Sequence, residues 1–103
     1  MQLADVRDLA MALQGTTESP HHRYTSFRVR GRIYATAPVE GGSLHVFVDE
    51  EDRDRMVKLQ PATYGLLRWG NRIAGLRVEL PSAEPADVAA LLQAAWRRKL
   101  GAS

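Results

Sequence analysis

The sequence predicts an α+β fold: a mainly antiparallel sheet with helices packed on one face, in the order α-β-β-β-α-(β)-β-α. Three observations carry that expectation. Both ends of the chain repeat apolar residues at helical spacing, the middle repeats them at every second position, and the joints between alternating runs are short and hold glycine. With 103 residues, 45% of them apolar and 25% charged, the chain is expected to form a single domain over residues 1–103 around one core.

Val6, Leu9, Ala10 and Leu13 recur at helical spacing, which predicts an amphipathic helix over residues 3–14 with Gly15 at its end. Thr16 to Pro20 reads as a polar connection. Phe27 and Val29 then alternate with Arg28 and Arg30, and Ile33, Ala35 and Ala37 continue the apolar set. A three-residue loop, Arg30-Gly31-Arg32, pairs Val29 with Ile33 and Phe27 with Ala35. A two-residue turn sets Val29 against Arg32 and spoils the apolar face, so the longer loop is preferred. That register places Arg28 opposite Tyr34 on the outer face. Glu40-Gly41-Gly42-Ser43 makes the next loop, pairing Val39 with Leu44, Ala37 with Val46 and Ala35 with Val48, with Thr36 opposite Phe47 outside.

Asp49 is an N-cap, and Glu50, Glu51 and Asp52 follow in the first turn, where the helix dipole favours negative charge. Met56, Val57 and Leu59 form the inner side of this short helix, and Pro61 follows its end. Residues 62–73 are the least regular stretch, with a turn at Trp69-Gly70-Asn71-Arg72. Leu76, Val78 and Leu80 alternate with Arg77 and Glu79 as the last strand. Pro81 to Pro85 leads into a final helix with a core stripe of Val88, Leu91, Leu92, Ala95 and Trp96. It closes on Arg97, Arg98 and Lys99, cations at the end of a helix that favours them. No internal repeat is read.

Chemistry is constrained more by absence than by motif. The chain has no cysteine, so disulfides, thiolate metal sites and a cysteine nucleophile are excluded, in keeping with a reducing compartment. No charged leader precedes an apolar run, and no apolar run reaches bilayer length, so a cytoplasmic protein without membrane contact is expected. The net charge is only +2, but it is unevenly placed: residues 21–32 hold arginines and histidines without an acid, and residues 49–54 are mostly acids. The outer sheet face gathers Arg28, Tyr34, Thr36, His45, Phe47, Arg77 and Glu79, with Arg30 and Arg32 at the hairpin tip.

The segments Leu13-Gln14-Gly15, Ser19-Pro20-His21-His22 and Ser26-Phe27-Arg28-Val29-Arg30-Gly31-Arg32-Ile33-Tyr34-Ala35-Thr36 resemble the MmcQ/YjbR-like family. The likeness extends more weakly to the Asp49 helix and to the last strand and helix with Ala95-Trp96. It implies a compact α+β fold related to the double wing of a phage transcription factor's DNA-binding domain, close in topology to frataxin-like folds, and it implies the DNA-binding label that family carries. Family members often have a tryptophan entering the last strand. Here Ile73-Ala74-Gly75 occupies that place and Trp69 lies earlier, so no role passes to a tryptophan.

The functional expectation is a non-catalytic binding module. DNA is the leading partner, gripped at its phosphates by Arg28, Arg30, Arg32, Tyr34 and Arg77, with His21 and His22 adding contacts; arginines interleaved with aromatics suit both phosphate and base. The alternative is a small-molecule or protein-binding module on the same face, where Tyr34, His45 and Phe47 hold an anionic or aromatic ligand, with a link to secondary metabolism. No catalytic residue, metal or cofactor is expected. Adjacent His21 and His22 in an extended segment point apart, Asp49 to Asp52 is explained by capping without a calcium-loop spacing, and no nucleophile elbow frames a serine. Gly41-Gly42 lacks the Lys-Ser/Thr of a phosphate loop.

Overall fold

In the computed structural model, which describes residues 1–101, the alternating runs become six strands and the periodic ends become helices. The elements are α1 (Leu3–Met11), β1 (Thr16–His21), β2 (Tyr24–Val29), β3 (Arg32–Pro38), β4 (Ser43–Val46), α2 (Glu50–Leu59), β5 (Tyr64–Trp69), β6 (Arg72–Glu79), a 3₁₀ turn at Leu80–Ser82, and α3 (Pro85–Leu100). The strands form one sheet in the order β1-β2-β3-β4-β6-β5, and every neighbouring pair is antiparallel. α3 packs over β2 to β4, α1 packs against α3 and β1, and α2 packs on β5 and β6. The core between them includes Val6, Ala10, Phe27, Val46, Leu76, Val78, Leu92 and Ala95.

The α+β class and the order of the expected elements hold, with one strand added in front. The stretch read as a polar connection is β1, paired to β2 from Thr16↔Val29 to His21↔Tyr24. An edge strand bonds on one side only and needs no apolar alternation, which is why its sequence hid it. Hydroxyls fasten it: Ser26 Oγ donates to the Ser19 carbonyl at 2.9 Å, and Thr25 Oγ1 donates to Glu18 at 2.6 Å. α1 stops at Met11, so Gly15, at φ +78°, shapes the turn into β1 and does not end the helix directly. In α2, Asp49 Oδ1 accepts from the Asp52 amide at 2.9 Å as a cap should, but Leu59 stays exposed and adds nothing to the core.

The β2–β3 joint resolves the choice of turn in an unexpected way. It is the two-residue turn, with Arg30 at φ +53° and Gly31 at φ +75°, both in the left-handed region that this tight hairpin demands. Val29 therefore does face Arg32, and Arg28 faces Ile33. A β-bulge between Phe27 and Arg28 then restores the Phe27↔Ala35 pair. The bulge leaves Tyr34 without a partner on β2 and re-aims it. Tyr34 is fully buried on the helix side, where its hydroxyl meets Thr16 Oγ1 at 2.9 Å and donates to the Ala10 carbonyl at 3.3 Å. Ile33 takes the outer face instead.

The next hairpin is offset by two residues from expectation, with Ala35↔Val46 and Thr36↔His45. Gly41 and Gly42, at φ +82° and +90°, allow the longer loop and leave Val39 exposed. A shift of two keeps every side chain on its expected face.

β5 and β6 repeat the plan of β2 and β3. They join over Gly70-Asn71, pair Trp69↔Arg72 and Arg68↔Ile73, and bulge between Leu67 and Arg68 so that Ala74 is unpaired. Phe27-Arg28-Val29, Arg32-Ile33 and Tyr34-Ala35 thus match Leu67-Arg68-Trp69, Arg72-Ile73 and Ala74-Gly75 position for position. The chain holds a short internal likeness that composition and periodicity did not reveal.

Candidate binding groove

Strand direction brings both bulged hairpin tips, the exit of β4 and the C-terminus of α3 to one end of the sheet; the β1–β2 turn lies at the other. Between them, on the face without helices, runs a groove of about 570 Å³ lined by His21, His22, Tyr24, Ile33, Thr36, His45, Phe47, Trp69, Arg72, Ala74 and Lys99. Three observations set its character: all three histidines of the chain border it, three aromatic rings join them, and among the described residues no carboxylate does.

The tip end is apolar and cationic. Phe47 rests on Gly75, where an added Cβ would stand 3.1 Å from the phenyl Cδ1 and 2.9 Å from the Val46 carbonyl, so glycine is needed for this ring to lie down. Trp69 leans on Phe47 with ring centres 5.7 Å apart, yet remains 53% exposed. Arg72 is its cross-strand neighbour. Lys99 enters from α3; burial, then Arg98 and Arg32, lower the pKa of its ammonium. Among the described residues neither Arg72 nor Lys99 has a carboxylate partner; ion pairs involve Arg7, Arg53, Arg55 and Arg77.

The other end is built from imidazoles and hydroxyls. The β1–β2 joint is a two-residue turn with His22 at φ +59°. That left-handed backbone brings the His21 and His22 rings edge to face at 5.0 Å, where an extended segment would have splayed them. His45 lies 5.8 Å from the Tyr24 ring, and its Nδ1 is within hydrogen-bond reach of Thr36 Oγ1 at 3.4 Å. Burial, with help from Arg77, holds the His45 imidazole below its usual range. Among the described residues no three of the usual ligating side chains are placed to hold a metal ion, and no helix is long and apolar enough to cross a membrane.

A family model described as YjbR matches residues 11–98. The chain belongs to the YjbR family. The resemblance drawn from the His-His and Phe-Arg-Val-Arg-Gly segments is therefore shown over most of this YjbR chain. No curated protein sequence matches it. The crystal structure of a Deinococcus radiodurans protein with a DUF419 domain is similar, with a TM-score of 0.78 at 20% identity over 92% of this chain and 76% of that one. That likeness is one of fold.

The YjbR chain brings only part of the expected site together. His21, His22, His45 and Phe47 do border the groove. Tyr34 does not, because the bulge turned it into the core. Arg30 and Arg32 are drawn to the other side of the sheet, donating to the Leu100 carbonyl at 2.7 Å and the Lys99 carbonyl at 3.4 Å at the negative end of α3. Arg28 lies back on Ser26, its Nε donating to Oγ at 3.1 Å. Arg77 pairs with Glu79 at 3.2 Å and lies across Gly65. Trp69, Arg72, Ala74 and Lys99 were not anticipated. The sequence pattern places Trp69 and Arg72 at a turn and Lys99 at the helix dipole; the match between the two hairpins is the signal that points to the first two.

Proposed function

We propose that this YjbR-family chain is a non-catalytic binding module whose site is the groove on the open sheet face, and that the groove takes a small anion. One observation carries the reading: three imidazoles, Arg72 and Lys99 border a cavity that no carboxylate of the described residues lines. A cleft lined by one sign of charge with apolar walls concentrates its counter-ion. A volume of about 570 Å³ is that of a small-ligand site.

Duplex DNA is the second reading, and a specific observation favours it. Arg68 and Arg72 flank the β5–β6 tip and have no carboxylate partner among the described residues. Against it, Arg30 and Arg32 are already engaged with α3, and Tyr34 is inaccessible.

An NMR titration separates the two. Inorganic phosphate is expected to shift the His45 ring, the Trp69 indole and the amides of residues 72–74, and Arg72→Ala together with Lys99→Ala to abolish those shifts. A duplex that binds at low salt, weakens steeply as salt rises and shifts the hairpin tips while phosphate shifts nothing would replace the small-anion reading with the DNA one.

A further inference from the structure

Resting on that groove, we infer the class of its ligand: a planar aromatic anion, with its ring on Trp69 and its charge between Arg72 and Lys99. The argument starts from the pairing of Trp69 with Arg72 across β5 and β6. Residues directly opposite in an antiparallel pair share a face, with Cβ atoms about 4.5–5.5 Å apart. Both line the groove, so a stacking surface and a permanent positive charge are held side by side by the backbone itself. Lys99 closes the same corner from α3.

The shelf is built for a flat partner. Trp69 has Phe47 against one part of its ring and stays 53% exposed over the cavity, with Ile33 and Ala74 completing the apolar surface. Leaving so large a ring in water forfeits the burial that usually accompanies it, and a ring laid on it recovers that area. Ala74 matters by being small. Its counterpart in the first hairpin is Tyr34, whose side chain fills the equivalent space with its own ring. At Ala74 that space is left open to a ligand. Lys99 supports the charge assignment: its ammonium stands near Arg98 and Arg32 with no carboxylate partner among the described residues, so an anion there relieves repulsion.

A nucleoside monophosphate and an aromatic carboxylate both have this chemistry, so both serve as probes. Tryptophan fluorescence and calorimetry are run with AMP, 1-naphthoate, adenosine (ring without charge) and ribose 5-phosphate (charge without ring). The expected result is that AMP or naphthoate quenches emission and binds at least tenfold tighter than adenosine or ribose 5-phosphate. Trp69→Phe removes the quench, and Arg72→Ala lowers affinity about tenfold. The stronger of the two probes identifies phosphate or carboxylate as the charged group. If ribose 5-phosphate binds as tightly as AMP and nothing quenches, the groove takes anions but the aromatic assignment is wrong. If adenosine binds as tightly as AMP, the charge assignment is wrong. If none binds and inorganic phosphate shifts no groove resonance, the small-anion reading falls as well.

Discussion

The β2–β3 and β5–β6 hairpins have the same turn length, the same bulge and an Arg-Ile pair at the same place, yet they face opposite ways. In the first, Phe27, Val29, Tyr34 and Ala35 enter the core and Arg32 reaches the end of α3. In the second, the matching Trp69, Ala74 and Arg72 line the groove. The isoleucines swap in the opposite sense: Ile33 lines the groove and Ile73 does not. One local design thus serves as foundation on one side of β4 and as reception surface on the other. The difference lies in what covers each face. Helices α1 and α3 lie over the first hairpin's bulged side, and among the described residues no helix covers the second's, which Lys99 of α3 only borders. A residue type therefore says little about its role here until its face is known.

The sharpest way to break this comparison is to truncate, in each hairpin, one aromatic ring that it places on its working face at or beside the bulge. Tyr34→Ala should cost about 3–5 kcal/mol, as for other large buried rings. Trp69→Ala, whose main partner is Phe47, should cost about 1 kcal/mol. Urea unfolding midpoints of the two variants measure this, and equal losses would show that the second hairpin is as structural as the first.

Much of the architecture was legible in the residues, and each place where it was not has its own physical cause. Period-two alternation correctly put Phe27, Ala35, Val46, Leu76 and Val78 on the helix side, because burial fixes parity wherever one face is covered. A bulge inserts one residue into that count and leaves no apolar signature. Tyr34 and Ile33 therefore exchanged faces, and the site built around Tyr34 lost its centre. β1 was hidden because its polar residues bond along one edge. His45 and Phe47 were found for the groove because their parity lies away from any bulge. Trp69 and Arg72 were missed because residues 62–73 were read by periodicity, and the second hairpin's pattern is apolar toward the open side.

The arginines give the next test. Replacing Arg30 and Arg32 with alanine removes the carbonyl contacts at the end of α3 and should destabilise the fold by about 1–2 kcal/mol. Arg72→Ala should leave stability within about 0.5 kcal/mol while weakening phosphate binding. Thermal unfolding and phosphate titration of both variants read the two effects, and an unchanged phosphate affinity in Arg72→Ala would erase the contrast.

The smallest effect concerns His45, which sits between the hairpins. Its imidazole titrates lower in the folded protein than the ordinary value of about 6.5. As pH falls through that value the unfolded chain takes up the proton first, so this residue's contribution to stability declines on acidification and returns as pH rises. Urea midpoints at pH 7 and pH 5.5 should therefore converge more in His45→Asn than in the parent. A steeper acid loss in the variant would reverse the sign and place His45 among groups stabilised by protonation.

The strand order has a consequence for time as well as shape. Each bulged hairpin closes over two residues and its strand pairing is local, so both pairings can form early. The two walls of the groove meet only when β4 pairs with β6, across the intervening α2 and β5. That non-local step assembles His45 and Phe47 beside Trp69 and Arg72. A bound ligand therefore holds together contacts made late in folding. Its addition should slow unfolding severalfold and leave the refolding rate nearly unchanged.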